Sequence, residues 1–316
     1  MILVLTQMGI LILWGVLWRI IRPAGLDADV TRRVITTLVF NVLLPALVLS
    51  TLWEADLGTH SLDLVLYGLG IVMFGAGFSW ALLRMLNVAP VRRGAAILGI
   101  AFGNITYMGL PLLEHLFGPS ARTIVVHLDI FAGMPLVLTF GLMIARHYGH
   151  PRADEAGMSR PLLINPPLWA ALIALGLNLA NVGQPDAVAR FLEPLADSVA
   201  PLMLLALGLG LQWSAWQRDR LPLGLVVMVA KMLVVPGFGF WLGWSLGFRG
   251  DTLAAVVLEA GMPSMIFGVV YCDRYRLDAS FYALIVLLTT LTATVSLPFW
   301  HDQVLTLQNP LTGNSP

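Results

Sequence analysis

The sequence predicts an all-α polytopic membrane protein of ten spans, arranged as two inverted repeats of five, with the fourth and ninth spans interrupted. Composition is the first ground. Of 316 residues, 58% are hydrophobic and 11% charged, whereas a soluble domain carries about 25% charged residues. The second ground is length: apolar runs of about 20 residues recur along the chain, and a bilayer requires that many. The third is the alternation of basic residues from loop to loop, which orients spans in a membrane.

The runs fall at roughly 2–21, 32–53, 62–84, 94–118, 122–147, 162–182, 191–213, 221–247, 252–272 and 279–300. Arg19 and Arg22 follow the first run instead of preceding it. That polarity is wrong for a signal peptide, so the run reads as a retained span. The odd-numbered loops hold 14 of the 18 basic residues, among them Arg32, Arg33, Arg92, Arg93, Arg152, Arg160, Arg218, Arg220, Arg274 and Arg276. The even-numbered loops hold Arg122, Arg190 and Arg249, and Lys231 lies inside a span. The positive-inside rule then puts the odd loops in the cytoplasm and both termini outside. The expected location is the plasma membrane, a bacterial inner membrane.

The polar loop 148–160 divides the spans five and five. With an odd number in each half, the second half must insert upside down, which is the arithmetic of an inverted repeat. The expected organisation is a first repeat over 1–147, a cytoplasmic linker over 148–160, a second repeat over 161–300 and a disordered external tail over 301–316. Echoes between the halves agree: Asn41 stands four residues before Pro45 in span 2, as Asp197 stands four before Pro201 in span 7. Trp14, Trp18, Trp53, Trp213 and Trp216 lie near span ends and read as interfacial anchors. The single cysteine, Cys272, excludes an internal disulfide. A formal net charge of zero and the lack of a basic patch exclude nucleic acid as a partner.

Two stretches break the apolar pattern. Gly103-Asn104-Ile105-Thr106-Tyr107-Met108-Gly109-Leu110-Pro111 interrupts span 4, and Glu259-Ala260-Gly261-Met262-Pro263-Ser264 interrupts span 9. Glycine and proline weaken the helical hydrogen-bond ladder, and loose backbone at membrane depth is tolerated only inside protein or beside a water-filled cavity. At 1.5 Å per residue, Asn104 is about 16 Å in from the cytoplasmic side, and Gly261 to Pro263 are about 15 to 18 Å in from the outside. Both breaks therefore lie near the midplane. Matched interruptions in corresponding positions of two halves point to a transporter's substrate site. Two half-helix N-termini near one point suit a carboxylate or other anion. The substrate-binding candidates are Gly103, Asn104, Thr106, Gly261, Pro263, Ser264 and Asn41. For Asn41 and Asp197 the competing role is to satisfy carbonyls freed by Pro45 and Pro201.

Charged residues at depth are costly and mark function by default. Lys231 and Glu259 are coupling groups or a neutralising pair, and Asp129 belongs with them. His127 and Asp129 lie about 8 to 10 Å in from the outside, where a vestibule or solvated helix end is expected.

These residues carry a family resemblance over nearly the whole chain. Phe40-Asn41-Val42-Leu43-Leu44-Pro45-Ala46-Leu47, the stretch Phe102 to Pro111, Lys231 to Pro236, Gly261-Met262-Pro263-Ser264 and Tyr275-Arg276-Leu277-Asp278 are similar to the auxin efflux carrier family, which includes bacterial malonate-type permeases and plant PIN carriers. The resemblance implies crossed broken helices 4 and 9, an arrangement like that of the bile-acid symporters and NhaA. It implies a scaffold of spans 1, 2, 6 and 7 beside a moving core of spans 3–5 and 8–10, pairing as a homodimer, and Asn104 beside a bound organic acid. The chain departs from the plant members at Gly261-Met262-Pro263-Ser264, and it lacks their long cytoplasmic loop.

The function expected is secondary active transport of a small organic anion by elevator-type alternating access, with coupling to H+ or Na+. The alternatives are a non-transporting sensor of the same fold and an intramembrane hydrolase. For a hydrolase, His127 with Asp129 and Ser264 are the candidates, and they form no recognisable set. No Gly-x-x-x-x-Gly-Lys loop is present, so ATP is not expected as the driver, and neither cofactor nor metal is expected.

The topology has a direct check. A cysteine at position 152, in a Cys272→Ser background, is expected to react with an impermeant thiol reagent only after the cells are opened. Labelling from outside in intact cells overturns the orientation and the inverted repeat with it.

Overall fold

The apolar runs fold as helices, continuous or interrupted. The computed structural model describes residues 2–54, 61–118, 121–150, 166–210 and 219–308. In chain order the helices are α1 (Ile2–Ile21), α2 (Ala28–Trp53), α3 (Ser61–Met85), α4 (Pro90–Ala101), α5 (Leu110–Phe117), α6 (Ala121–Tyr148), α7 (Pro166–Leu179), α8 (Asp186–Gly210), α9 (Leu221–Ser245), α10 (Gly250–Ala260), α11 (Gly268–Tyr275) and α12 (Ala279–Gln308). Among the described residues there is no strand. Six of these helices, α2, α3, α6, α8, α9 and α12, are long and apolar enough to cross a membrane. The pairs α4/α5 and α10/α11 are the two interrupted runs.

One boundary differs from the sequence reading. Residues 301–308, assigned there to a disordered tail, continue α12 as helix to Gln308. Nothing before Pro310 forbids it, Val304 is fully buried, and the Gln308 amide bonds the backbone of Gly250. The linker beyond 150 and the end of the tail from 309 lie outside the described residues.

The chain forms two compact units. The first comprises Met1–Ser61, Thr106–Phe131 and Met158–Leu211; the second comprises Leu62–Ile105, Ala132–Gly157 and Gln212–Pro316.

In the first unit α1 packs on the second half of α8, and α7 packs on the second half of α2. The α1–α8 contact is made by glycines. A Cβ on Gly15 would lie 2.8 Å from Gly208 Cα and 2.7 Å from Leu209 N, so only glycine lets these backbones approach. Arg19 fixes the end of this contact, donating Nε to Leu209 O at 2.8 Å and pairing with Asp29. Asp27 caps α2 by accepting the amides of Asp29 at 2.9 Å and Val30 at 3.1 Å. The Val30 amide above all holds the Asp27 carboxyl below the usual carboxylate range.

In the second unit α9, α10 and α12 pack together, and α4 lies against α12 and the second half of α6. Asp278 ties one end of this unit. It caps α12 through Phe281 N at 3.0 Å and accepts Arg92 Nε at 3.0 Å, with Arg220 at 3.5 Å. Arg92 also reaches Asp219 at 3.1 Å. The Asp278 bond holds the Arg92 guanidinium above its ordinary value.

The glycine contact predicts an asymmetry within one helix. Gly15→Val is expected to cost at least the about 1–3 kcal/mol typical of overpacking. Gly9→Val, where a Cβ meets nothing within 4 Å, is expected to change little. Thermal unfolding of the two purified variants in detergent compares them, and equal Tm values sink the close approach.

Candidate functional site

The break in span 4 begins where α4 runs out of helical bonds. Phe102 N reaches Leu98 O at 3.2 Å, and Phe102 then turns extended, with φ −112° and ψ 117°. The break in span 9 begins at Gly261, after α10 ends at Ala260. Two extended stretches left without a ladder would carry unsatisfied backbone groups at membrane depth, each costing several kcal/mol. They satisfy each other. Gly103 and Ser264 form an antiparallel bridge, in which Asn104 N donates to Pro263 O at 2.7 Å and Met265 N to Phe102 O at 3.0 Å. Pro263 has no N–H to place, so it contributes an acceptor alone.

Helix α12 serves the rest of the break. Thr289 Oγ1 accepts Ser264 N at 3.1 Å and donates to Ile285 O at 2.8 Å. Tyr282 donates its hydroxyl to Met265 O at 2.7 Å. Ser264 Oγ donates to Gly99 O at 2.7 Å, across a gap kept narrow by the absence of a side chain on Gly99. The serine named as a substrate contact thus has its proton committed to the backbone. Tyr282 and Thr289 were missed by the sequence reading. Their signal was available: two hydroxyls seven residues apart lie on one face of a helix.

At the same point stands a buried amine. Lys231, 1% exposed, donates Nζ to Ala260 O at 3.3 Å, the last carbonyl of α10. Its Nζ is 3.3 Å from where a Cβ on Gly103 would lie. A cation at a helix C-terminus is favourable, because free carbonyls carry partial negative charge there. Lys231 occupies a π turn, Ala230–Val234, which precedes Pro236. Pro236 cannot donate to the carbonyl four residues back, that of Met232. Trp300 Nε1 donates to it instead, at 2.9 Å. Glu259, 2% exposed, precedes Ala260 on α10 and acts electrostatically on Lys231 and on the Tyr67 hydroxyl.

Asn104 is 2% exposed, and its Oδ1 has no hydrogen-bond donor among the described residues. An amide presents its oxygen or its NH2 by a half-turn about the last side-chain bond. A buried orphan of this kind is costly to leave unmade. Gly103, Asn104, Lys231, Glu259, Gly261, Pro263 and Ser264 therefore share one region of the second unit.

Thr106, Asp129 and Asn41 belong to the first unit. Thr106 donates its hydroxyl to Asp129, and it lines a cavity of about 20 Å³ with Leu47, Val48, Thr51 and Val125, room for about one water. His127 is 1% exposed, and its Nδ1 lies 2.7 Å from Thr123 O, so the expected solvated helix end is corrected. The cause is packing: the start of α6 is covered by α5 and by the second half of α2. Asn41 is exposed and donates Nδ2 to Thr37 O at 2.8 Å, within its own helix. Asp197 is exposed as well. His127 and Ser264, two of the three hydrolase candidates, each spend a polar atom on a backbone carbonyl of their own unit.

The bonding around the break yields a test. Thr289→Val keeps the shape but leaves the buried Ser264 N–H without its acceptor. An expected loss of about 1–3 kcal/mol follows, read as a lowered Tm. Thr294→Val, at an exposed hydroxyl bonded within its own helix, is the control. Equal stability of the two variants contradicts the proposed support.

The sequence profile of the family described as membrane transport protein matches residues 10–301. The chain is 28% identical over 299 residues to an uncharacterized transporter of Methanothermobacter thermautotrophicus, covering 92% of this chain and 94% of that one. It is 25% identical over 221 residues to an uncharacterized transporter of Methanocaldococcus jannaschii, covering 69% and 70%. A Rhizobium meliloti protein proposed to be a malonate transporter is 24% identical over 241 residues, covering 74% of each chain. The chain belongs to the membrane transport protein family, the auxin efflux carrier group whose motifs it carries, and it is a multi-pass membrane protein.

Proposed function

We propose that the protein is a secondary carrier of a small carboxylate, working by alternating access. The single observation that carries this reading is the Asn104 amide, buried at the helix break with Oδ1 unmatched and a buried ammonium next to the neighbouring glycine. A carboxylate bound here accepts from the Asn104 NH2 and lies beside the Lys231 charge. A protonated acid satisfies Oδ1 instead. Gly103 puts no side chain against the Lys231 amine, and Pro263 and Ser264 take part in the bonds that hold the peptide path. Thr106 is assigned to Asp129, and Asn41 to its own helix, rather than to the ligand.

The architecture proposed is ten spans in two inverted five-helix repeats. Spans 4 and 9 are the crossed pair. In an elevator cycle the core of spans 3–5 and 8–10 travels while spans 1, 2, 6 and 7 stay, as a homodimer in the plasma membrane with both termini outside. The Rhizobium relative's proposed substrate, malonate, supports the carboxylate class. Two features support a gradient-driven carrier: the ionisable pair at the crossover and the lack of a nucleotide-binding loop.

Malonate, succinate and indole-3-acetate are the probes. One of them is expected to raise the Tm of the wild-type protein in detergent, and Asn104→Ala is expected to stay folded while losing that shift. Removing one hydrogen bond to a charged group costs about 1.5–3 kcal/mol, or a fall in affinity of roughly 10- to 100-fold. Undiminished affinity in the folded variant moves the site away from the break.

A further inference from the structure

A lysine and a glutamate are buried next to the helix break, and ionised together they would cancel. Lys231 and Glu259 are 1% and 2% exposed, on α9 and α10 of one unit, and they interact electrostatically. The lysine is anchored by the Ala260 carbonyl, one residue from Glu259, so the amine and the carboxyl are set on one short stretch of backbone. Among the described residues, Glu259 acts electrostatically on Lys231 from α9 and on Tyr67 from α3, whose hydroxyl is taken by Val256 O at 2.9 Å. Glu259 itself is the charged group facing Lys231, from α10.

Resting on the carboxylate-carrier reading, we propose that Lys231 and Glu259 form a charge-exchange pair. A proton taken up by Glu259 releases Lys231 to become the counter-ion of the substrate carboxylate, which makes transport of a monocarboxylate an electroneutral proton symport.

The charges balance state by state. In the empty carrier the ammonium and the Glu259 carboxylate sum to zero. When a proton from the aqueous side bonds to a Glu259 carboxylate oxygen, the pair carries one positive charge. The incoming carboxylate then cancels it, so the loaded carrier is neutral again. Lys231 keeps its protons throughout, and no bond in the substrate is made or broken. The two half-loaded states, with proton alone or anion alone, carry a net charge at membrane depth. Such a charge is costly there, and its crossing is acted on by the membrane field. Only the empty and doubly loaded carriers therefore cross readily, and this locks the proton to the anion without a direct bond between them. Breaking a buried pair by removing one partner is strongly destabilising, so the pair also forbids an anion from displacing Glu259 while it is ionised.

The experiment is proton counting during binding. Purified wild-type protein in lightly buffered detergent is titrated with whichever of malonate, succinate and indole-3-acetate binds, each dicarboxylate being counted as its singly charged hydrogen anion, with a pH indicator dye present and the acid's own protonation subtracted. About one proton is expected to be taken up per anion bound, and affinity is expected to fall about tenfold per pH unit once Glu259 is ionised. In E259Q, proton uptake vanishes and the pH profile becomes flat. If that variant fails to fold with Lys231 unpaired, K231M/E259Q is expected to regain stability, to bind the acid at least tenfold more weakly than wild type, and to take up no proton. Binding without proton uptake in the wild type, proton uptake persisting in E259Q, or wild-type affinity in the double variant overturns the charge exchange and leaves the carrier reading standing. Failure of all three acids to bind the wild type overturns the carrier reading, and the charge exchange falls with it.

Discussion

Two peptide hydrogen bonds hold the second unit at its weakest point: Asn104 N to Pro263 O and Met265 N to Phe102 O. Interrupting a helix in hydrocarbon is forbidden unless its orphaned amides and carbonyls find partners inside the protein. Here each interrupted segment is the partner of the other. Neither break is stable alone, since removing one strand of the bridge leaves the other with unpaired backbone. That mutual dependence explains why glycines crowd this region. Gly99 and Gly103 bring the segments within bonding distance, and Gly261 lets α10 end where the bridge must begin.

The bridge satisfies only part of the backbone, and the surroundings are shaped by what it omits. Ser264 N needs Thr289, Met265 O needs Tyr282, Gly99 O takes Ser264 Oγ, and Ala260 O takes Lys231. Four side chains from α9, α11's approach and α12 are spent on holding the peptide path, and one amide, Asn104, is left with capacity to spare.

Much of this was legible in the sequence, for identifiable reasons. The helical fold and the position of the breaks follow from length, glycine and proline, which act locally. The buried neighbourhood of Lys231 and Glu259 was suggested by depth alone, because each lies a similar number of residues in from its end of a span. What could not be read was partner choice. Nothing local tells that Ser264 would give its proton to Gly99 O, that Thr289 and Tyr282 on a different helix would serve the break, or that His127 would be covered by α5 and α2. The tail was misjudged because polar residues at 301–303 were taken as the end of a helix, although a helix stops at a break in its bonding, not at a change in polarity.

A local rule nonetheless links the unusual residues. Four of the five π turns among the described residues, Val39–Leu43, Ile105–Gly109, Asp129–Gly133 and Ala230–Val234, are each followed two residues later by a proline, Pro45, Pro111, Pro135 and Pro236, and the fifth, Val137–Gly141, is not. A proline inside a helix removes one donor and crowds the carbonyl four residues back. Widening the preceding turn relieves the crowding and leaves carbonyls facing sideways, and such widened turns are frequent at functional positions. Asn41, Thr106, Asp129 and Lys231 all fall within these turns. So do two of the points where the chain passes between units, Ile105 to Thr106 and Phe131 to Ala132. A polar side chain a few residues before a proline within an apolar run is thus a sequence signal for backbone already loosened from the ladder. These four polar groups stand where the helix has given up regular bonding.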